Sequence, residues 1–331
     1  MSCGGLSGLF FTSLENSTHS ALPRNSALSR SAIVPLEIVK LKSGKSKGVQ
    51  DVFGLFKDSA EIKVHMKGFG KWDFDVIELD RLSQGNALYI VAVKGVAKLV
   101  VSFSSPRCCV VIVLRFSITR TLTPSPPIHP RLPQQGLGEK REEIQYNKMK
   151  AQRFFLAVQK SYLSADKVPY HNYMHGADVA ASVYYFMRKK VSQNILSQTE
   201  LFGGMIAALV HDVGHPGVNN KFLVASNNKL AIDYNDDSVL ENMHCALCFR
   251  LSMREGHEVF DALKDPQYRA TRLLIIKMVL DTDLANHFES LGQFKTRMAA
   301  LDARLAESEQ DDKSQLGSLM TTEDKFMILR M

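Results

Sequence analysis

Seven of the chain's ten histidines fall between residues 171 and 287. His171 and His175 are four apart, and on a helix that spacing puts both imidazoles on one face. His211 and His215 are again four apart, now with a carboxylate, Asp212, beside the first. Neutral imidazoles mixed with a carboxylate form a ligand set for a divalent metal. One such pair arises by chance on a polar helix face. Two pairs and an adjacent His-Asp within 45 residues point to a metal centre. Residues 205–210 are wholly apolar, so His211-Asp212 is expected at the end of a buried helix. A charged Asp there is costly unless something pairs with it, and a metal would. The chemistry on offer is activation of a water for hydrolysis.

More polar residues interrupt apolar runs. Glu241, Asn242 and His244 follow Val239-Leu240; Thr282 and Asp283 follow residues 278–280; His287 lies four beyond Asp283. Together they read as groups that orient ligands and metal-bound waters. His257, in the polar stretch 254–258, reads as a solvated residue. Cys245 and Cys248 read as small apolar packing groups on a helix. Five cysteines in the whole chain argue against a disulfide scaffold or a cysteine zinc site. A reducing cytosol, and hence a cytoplasmic protein, is the expectation.

Helices must position these groups. Residues 145–163 carry Met149, Phe154, Phe155, Val158 and Leu163 with charges between them, an amphipathic pattern. Helical patterns continue over 177–190, 200–213, 221–231, 238–254, 268–288 and 290–305, with loop signals at Pro169, 214–217, 235–237, Gly256 and Pro266. Strand-like alternation is scarce, so residues 139–331 read as all-α. Over 51–92 the pattern leaves helix and strand both open. Between Asp80 and Glu139 no acidic residue occurs, and five prolines cluster at 124–133. Residues 93–138 therefore read as an irregular insertion, of the kind a retained intron would produce, and no part of the working fold. Residues 1–50 read as a disordered leader, with a transit peptide as the other reading of their acid-poor, Ser-rich composition.

Composition excludes several classes. With 331 residues, 45% hydrophobic and 23% charged, the chain can bury a sizeable core. The longest apolar candidate for a membrane span, 90–116, is broken by Lys94, Lys98, Arg107 and Arg115. Of the net charge of +7, residues 1–140 hold 18 Lys+Arg against 10 Asp+Glu, while 141–331 are nearly balanced. The positive excess thus sits outside the organised half and makes no nucleic-acid surface.

The motifs resemble those of the class I cyclic nucleotide phosphodiesterases. Tyr170-His171-Asn172-Tyr173-Met174-His175-Gly176-Ala177-Asp178-Val179 resembles the family's YHNxxHAxDV segment. His211-Asp212-Val213-Gly214-His215-Pro216-Gly217 and the following Val218-Asn219-Asn220-Lys221-Phe222-Leu223 resemble HDxxHxGxxNxFL. Leu230-Ala231-Ile232-Asp233-Tyr234-Asn235-Asp236-Asp237-Ser238-Val239-Leu240-Glu241-Asn242 resembles LAxxYNDxSVLEN, and Thr282-Asp283-Leu284 sits where the family has TDM or TDL. The likeness covers 144–331, with a weaker one over 72–92. It implies an all-α, compact multi-helix (HD-domain-like) bundle that hydrolyses cAMP or cGMP to the 5′-monophosphate. By resemblance, two divalent ions activate a water that attacks phosphorus, and His171 protonates O3′. His175, His211 and Asp212 would hold the tighter ion, Zn²⁺. Asp212 would also reach the second, Mg²⁺ or Mn²⁺, whose waters His215, Glu241 and Thr282 would hold. Tyr170 and Leu284 would line the substrate pocket. A cyclic nucleotide is the implied partner, and a homodimer is compatible.

The departures carry expectations too. The family usually reads ENHH where this chain has Glu241-Asn242-Met243-His244, and Gly176 stands for a usual Ala at a small cost in helix propensity. Residues 324–331 resemble the helix leading into the family's HxADxSNP segment. The Asp of that segment and the purine-binding Gln lie beyond Met331. The bundle is therefore expected to be incomplete at its C-terminus, and the chain weakly active or inactive. The rival readings are another HD-type nucleotide phosphohydrolase and a non-catalytic regulatory fragment.

Overall fold

The computed structural model describes residues 59–100, 144–307 and 320–330. Among these residues lie thirteen α-helices and no β-strand. They are α1 (Ala60–His65), α2 (Val76–Leu82), α3 (Ala87–Leu99), α4 (Lys148–Ser161), α5 (Tyr173–Met187), α6 (Lys190–Ile195) and α7 (Gln198–Val210). After them come α8 (Asn220–Ala225), α9 (Lys229–Asp233), α10 (Val239–Ser252), α11 (Asp265–Leu280), α12 (His287–Glu307) and α13 (Thr322–Arg330). The expected all-α class holds. None of the described helices is long and apolar enough to cross a membrane.

The central element is α7. Ser197 opens it with a reciprocal cap: its hydroxyl accepts from the Glu200 N–H, and the Glu200 carboxylate accepts from the Ser197 N–H. Every residue from Leu201 to Val210 is buried. A helix apolar all round must lie inside, and α7 packs on α3, α5 and α11. Its C-terminal end delivers His211.

Helix α5 carries His175 and is held at both ends by residues 59–100. At its start the Tyr173 hydroxyl donates to Asp80 Oδ2 at 3.1 Å. At its end Arg188 donates to the Gly70 carbonyl at 2.7 Å, and Phe69 stacks on Tyr184 with ring centroids 4.3 Å apart. Gln159 of α4 ties the same segment down by accepting from the Tyr89 N–H and donating to the Gly85 carbonyl.

Several boundaries differ from the sequence expectations. The ambiguous stretch 51–92 holds α1, α2 and the start of α3 among its described residues, with turns at 69–75 and 83–86, and Asp75 caps α2 by accepting from the Glu78 N–H. Helix α3 runs on to Leu99, with Val96, Leu99 and Val100 buried. The first residues of the stretch read as irregular, 93–99, thus belong to the packed helix, because their apolar spacing continues the buried face. Residues 101–138 and the expected leader, 1–50, lie outside the described residues. Met149, assigned to the apolar face of its helix, is 45% exposed. The single helix expected over 221–231 is two. Asn227 adopts a left-handed φ of 49°, and Asn228 restarts the chain as α9 by accepting from the Leu230 N–H. The helix expected over 268–288 stops at Leu280. Asp283 then caps a short 3₁₀ turn, Leu284–Asn286, and His287 opens α12. Thr282, Asp283 and His287 therefore stand at a junction between helices and do not interrupt one.

Candidate metal centre

His175 lies in the first turn of α5, but His171 precedes the helix. The expected shared helix face is therefore replaced by a turn, and Asn172 makes that turn. Its side-chain oxygen accepts from the Met174 N–H, capping α5, while its amide nitrogen donates to the Val168 and Pro169 carbonyls at 3.0 Å each. Asn172 is 3% exposed, so no water can stand in for these bonds. The cap brings the two rings within 5.8 Å, centroid to centroid.

His211 is the C-cap of α7, and its Nδ1 lies 2.9 Å from the Ala208 carbonyl. A carbonyl only accepts, so Nδ1 carries the hydrogen and the Nε2 lone pair points away from the helix. That Nε2 sits 3.2 Å from His175 Nε2 and 3.2 Å from Asp212 Oδ2. His175 Nε2 lies 3.4 Å from the same Asp212 oxygen. The donor atoms of all three residues lie within 4.8 Å of one another. Helix-end carbonyls are left without helical partners, and His211 uses one of them to fix its tautomer.

Electrostatics sharpen this convergence. Burial alone would raise the Asp212 carboxyl, but the His211 hydrogen bond and the neighbouring imidazoles outweigh it and hold Asp212 well below the usual carboxylate range. Burial would lower His211; the Asp212 hydrogen bond and charge reverse that and raise it. Burial, then the nearby His211, lowers His175. A carboxylate that stays ionised and two imidazole Nε2 atoms meet at one point, a donor set suited to a divalent cation.

The surrounding histidines form a stacked column. His171 lies on His215 with centroids 4.2 Å apart at 19°, and His215 faces His244 at 5.8 Å and 18°. His215 Nδ1 accepts from the Gly217 N–H. Burial, then His171, lowers His215 to about 4. His244 is 1% exposed, with Nδ1 bonded to the Val213 carbonyl at 2.8 Å and Nε2 3.8 Å from Asp212 Oδ1. Burial lowers it to about 3. The Tyr170 ring covers His175 at 4.6 Å. Gly214, at φ +78°, makes the turn between Asp212 and His215 possible, and a Cβ there would come within 2.5 Å of Leu247 Cδ1.

The structure gathers His171, His175, His211, Asp212 and His215 in one cluster. Glu241 is bonded by Asn220 Nδ2 at 2.9 Å. Burial raises its carboxyl, with help from the charges of Asp283 and Asp212. Thr282 turns its hydroxyl back to the Val279 carbonyl at 2.7 Å, and Leu284 is 83% exposed. Between them Asp283 accepts from the Ser238 hydroxyl at 2.9 Å, at the start of α10. Met243, in place of an imidazole, is buried in a small apolar cluster with Leu223, Leu230 and Val239. Cys245-Ala246-Leu247-Cys248 is in fact a C-x-x-C spacing, although the sparse cysteine count argued against a cysteine site. Both thiols are free and buried, and burial pushes both up, Cys245 to about 12. That disfavours thiolate, so they pack as apolar groups, as expected. The sequence signal for the Asn172 cap is a polar Asn just before a helical run.

Comparisons with known proteins extend these observations. Residues 170–329 match the sequence profile of the 3′5′-cyclic nucleotide phosphodiesterase family. The chain is 31% identical over 266 residues to the mouse high affinity cAMP-specific and IBMX-insensitive 3′,5′-cyclic phosphodiesterase 8A, covering 79% of this chain and 27% of that protein. It is 35% identical over 177 residues to the rat 3′,5′-cyclic-AMP phosphodiesterase 4C, covering 52% and 33% respectively. It is 39% identical over 128 residues to isoform F of the Drosophila melanogaster 3′,5′-cyclic-AMP phosphodiesterase, covering 39% and 19%. The chain thus spans a third or less of the length of these curated relatives. Among solved structures, the phosphodiesterase domain of Salpingoeca rosetta rhodopsin phosphodiesterase superposes with a TM-score of 0.47 at 26% identity, over 56% of this chain and 51% of that chain.

Proposed function

Because this chain belongs, through residues 170–329, to the class I 3′,5′-cyclic nucleotide phosphodiesterase family, we propose that it opens the O3′–phosphorus bond of a cyclic nucleotide to give the 5′-monophosphate. The observation that carries this reading is the meeting of His175 Nε2, His211 Nε2 and Asp212 Oδ2 within 4.8 Å. The curated relatives are named for cAMP, so cAMP is proposed ahead of cGMP.

In this reading His175, His211 and Asp212 hold one divalent ion, Zn²⁺. Asp212, with His215, Glu241 and Thr282 around it, would help hold a second, Mg²⁺ or Mn²⁺. Such ions, when bound, make a water nucleophilic near neutral pH and take up phosphoryl charge. The chain's own residues do the rest. His171 gives its proton to the departing O3′, a task suited to imidazole. Its ring is held by the His215 ring against which it stacks. Tyr170 and Leu284 form walls for the substrate.

The test is a turnover screen over cAMP, cGMP and deoxynucleotides with added Zn²⁺ and Mg²⁺, using His171→Ala and His211→Ala. Turnover of cAMP lost in both variants is the expected result. Turnover of deoxynucleotides without cyclic nucleotides would move the chain to another HD-type hydrolase. Zinc binding without any turnover would favour a non-catalytic role.

A further inference from the structure

Tyr162 follows α4 directly and is 6% exposed. Its hydroxyl donates to the Leu209 carbonyl, in the last turn of α7, at 3.1 Å. On its other side lies Gly176, the residue after His175. A methyl built on Gly176 would come within 2.9 Å of the Tyr162 oxygen and 3.1 Å of Cζ, closer than ordinary van der Waals contact allows. One phenol therefore touches both segments that carry the candidate ligands.

The end of α7 shows what the phenol contributes. The carbonyls of a last helical turn lack helical partners and must find others. Here the Ala208 carbonyl takes His211 Nδ1, the Val210 carbonyl takes the Val213 N–H, and the Leu209 carbonyl takes Tyr162. Each bond constrains the turn that presents His211 and Asp212. Tyr162 supplies the one that comes from outside the turn, and it does so while pressed against α5.

We propose that Tyr162 is a positioning residue for the metal centre. It fixes the distance between the His175-bearing helix and the His211-Asp212 turn, and Gly176 is the space it requires. The glycine is thus a packing requirement and not only a weak helix former. The proposal rests on the metal reading above, and its test keeps the two apart.

The experiment uses the full chain with isotope-labelled histidine rings, as wild type, Tyr162→Phe, Gly176→Ala and the double variant. Circular dichroism checks the fold and melting temperature. In metal-free protein, ring signals of His175 and His211 should shift in both single variants while His257 stays in place. Zinc affinity should fall about tenfold in each, the low end of losses for groups that orient metal ligands. The double variant should lose less than the product of the two single losses, because removing the hydroxyl makes room for the methyl. Wild-type protein that binds no zinc but shows the ring shifts would sink the metal reading and leave the positioning role standing. Ring signals unmoved in both single variants, with only the melting temperature lowered, would overturn the proposal. If Tyr162→Phe does not fold, Gly176→Ala decides by the same signals.

Discussion

His211 Nε2 and Asp212 Oδ2 lie 3.2 Å apart although the residues are sequence neighbours. Regular helix would send adjacent side chains about 100° apart around the axis. The chain instead leaves α7 at Val210, and the turn that follows lets both side chains face the point that His175 reaches from α5.

That geometry predicts one divalent site with a sharp residue dependence. His211→Ala should abolish zinc binding, because it removes one of the three donors that converge there. His257, whose Nδ1 bonds only its own loop at Glu255, should be replaceable by Ala without effect. Metal analysis of the purified proteins checks both. Equal zinc in wild type and His211→Ala would rule the site out.

Asn172 gives a prediction about the turn that carries His171. Asn172→Ala deletes a cap and strands the carbonyl of the buried Val168, and should cost about 2 kcal/mol of stability. Asn172→Asp keeps the cap acceptor but sets a carboxylate against the Val168 and Pro169 carbonyls, so it should rescue little. Urea denaturation distinguishes these outcomes. A loss under about 0.5 kcal/mol in Asn172→Ala, the level of an ordinary surface change, would contradict the role assigned to its three bonds.

The candidate metal cluster is legible in the sequence as two histidine pairs and an adjacent His-Asp, while the choice of His175, His211 and Asp212 as ligands comes from the family resemblance. An apolar run ending in His-Asp places the pair at the end of a buried helix without knowledge of the fold. His244 reads from the sequence, with Glu241 and Asn242, as a group that orients ligands, but no partner for it is legible there. Its 3.8 Å approach to Asp212 depends on how α10 packs beside α7, which no local pattern states. The break at Asn227 was missed because the apolar period continues across it. The cost of a left-handed residue is local, and the Asn-Asn pair that lowers it was there to be read. The pocket role of Leu284 comes from the resemblance alone, and the structure sets Thr282 and Leu284 on the turn that follows α11.

Gly214 should tolerate no side chain. At φ +78° any L-residue is strained, and a Cβ there would overlap Leu247. Gly214→Ala should cost about 1–3 kcal/mol, from backbone strain and repacking together. Because the residue sits between Asp212 and His215, zinc affinity should fall in the same variant. Thermal melts in the presence and absence of zinc test this. A melting temperature unchanged from wild type would show that the turn relaxes freely.

The last prediction concerns acid stability, away from the histidines. Asp324 is buried at the start of α13. Its carboxylate accepts from the Thr321 N–H at 2.9 Å, while the Thr321 hydroxyl accepts from the Asp324 N–H, a reciprocal cap. Arg304 of α12 donates to the same carboxylate at 2.7 Å, and Arg297 stands 3.5 Å away. Burial would raise this carboxyl, but the Arg304 hydrogen bond and the Thr321 cap outweigh it and lower it to about 2. The folded value lies below the unfolded one, so the stabilisation is present above the ordinary carboxylate range. It is lost as pH falls from about 4 towards 2. Both arginines border solvent, which screens the pair, so the contribution is about 1–2 kcal/mol. Asp324→Asn should therefore be less stable than wild type at neutral pH, and the gap should close as pH falls through that window. Urea melts of both proteins across the window measure it. A gap that stays constant with pH would mean that Asp324 acts through shape alone and that its charge contributes nothing to docking α13 on α12.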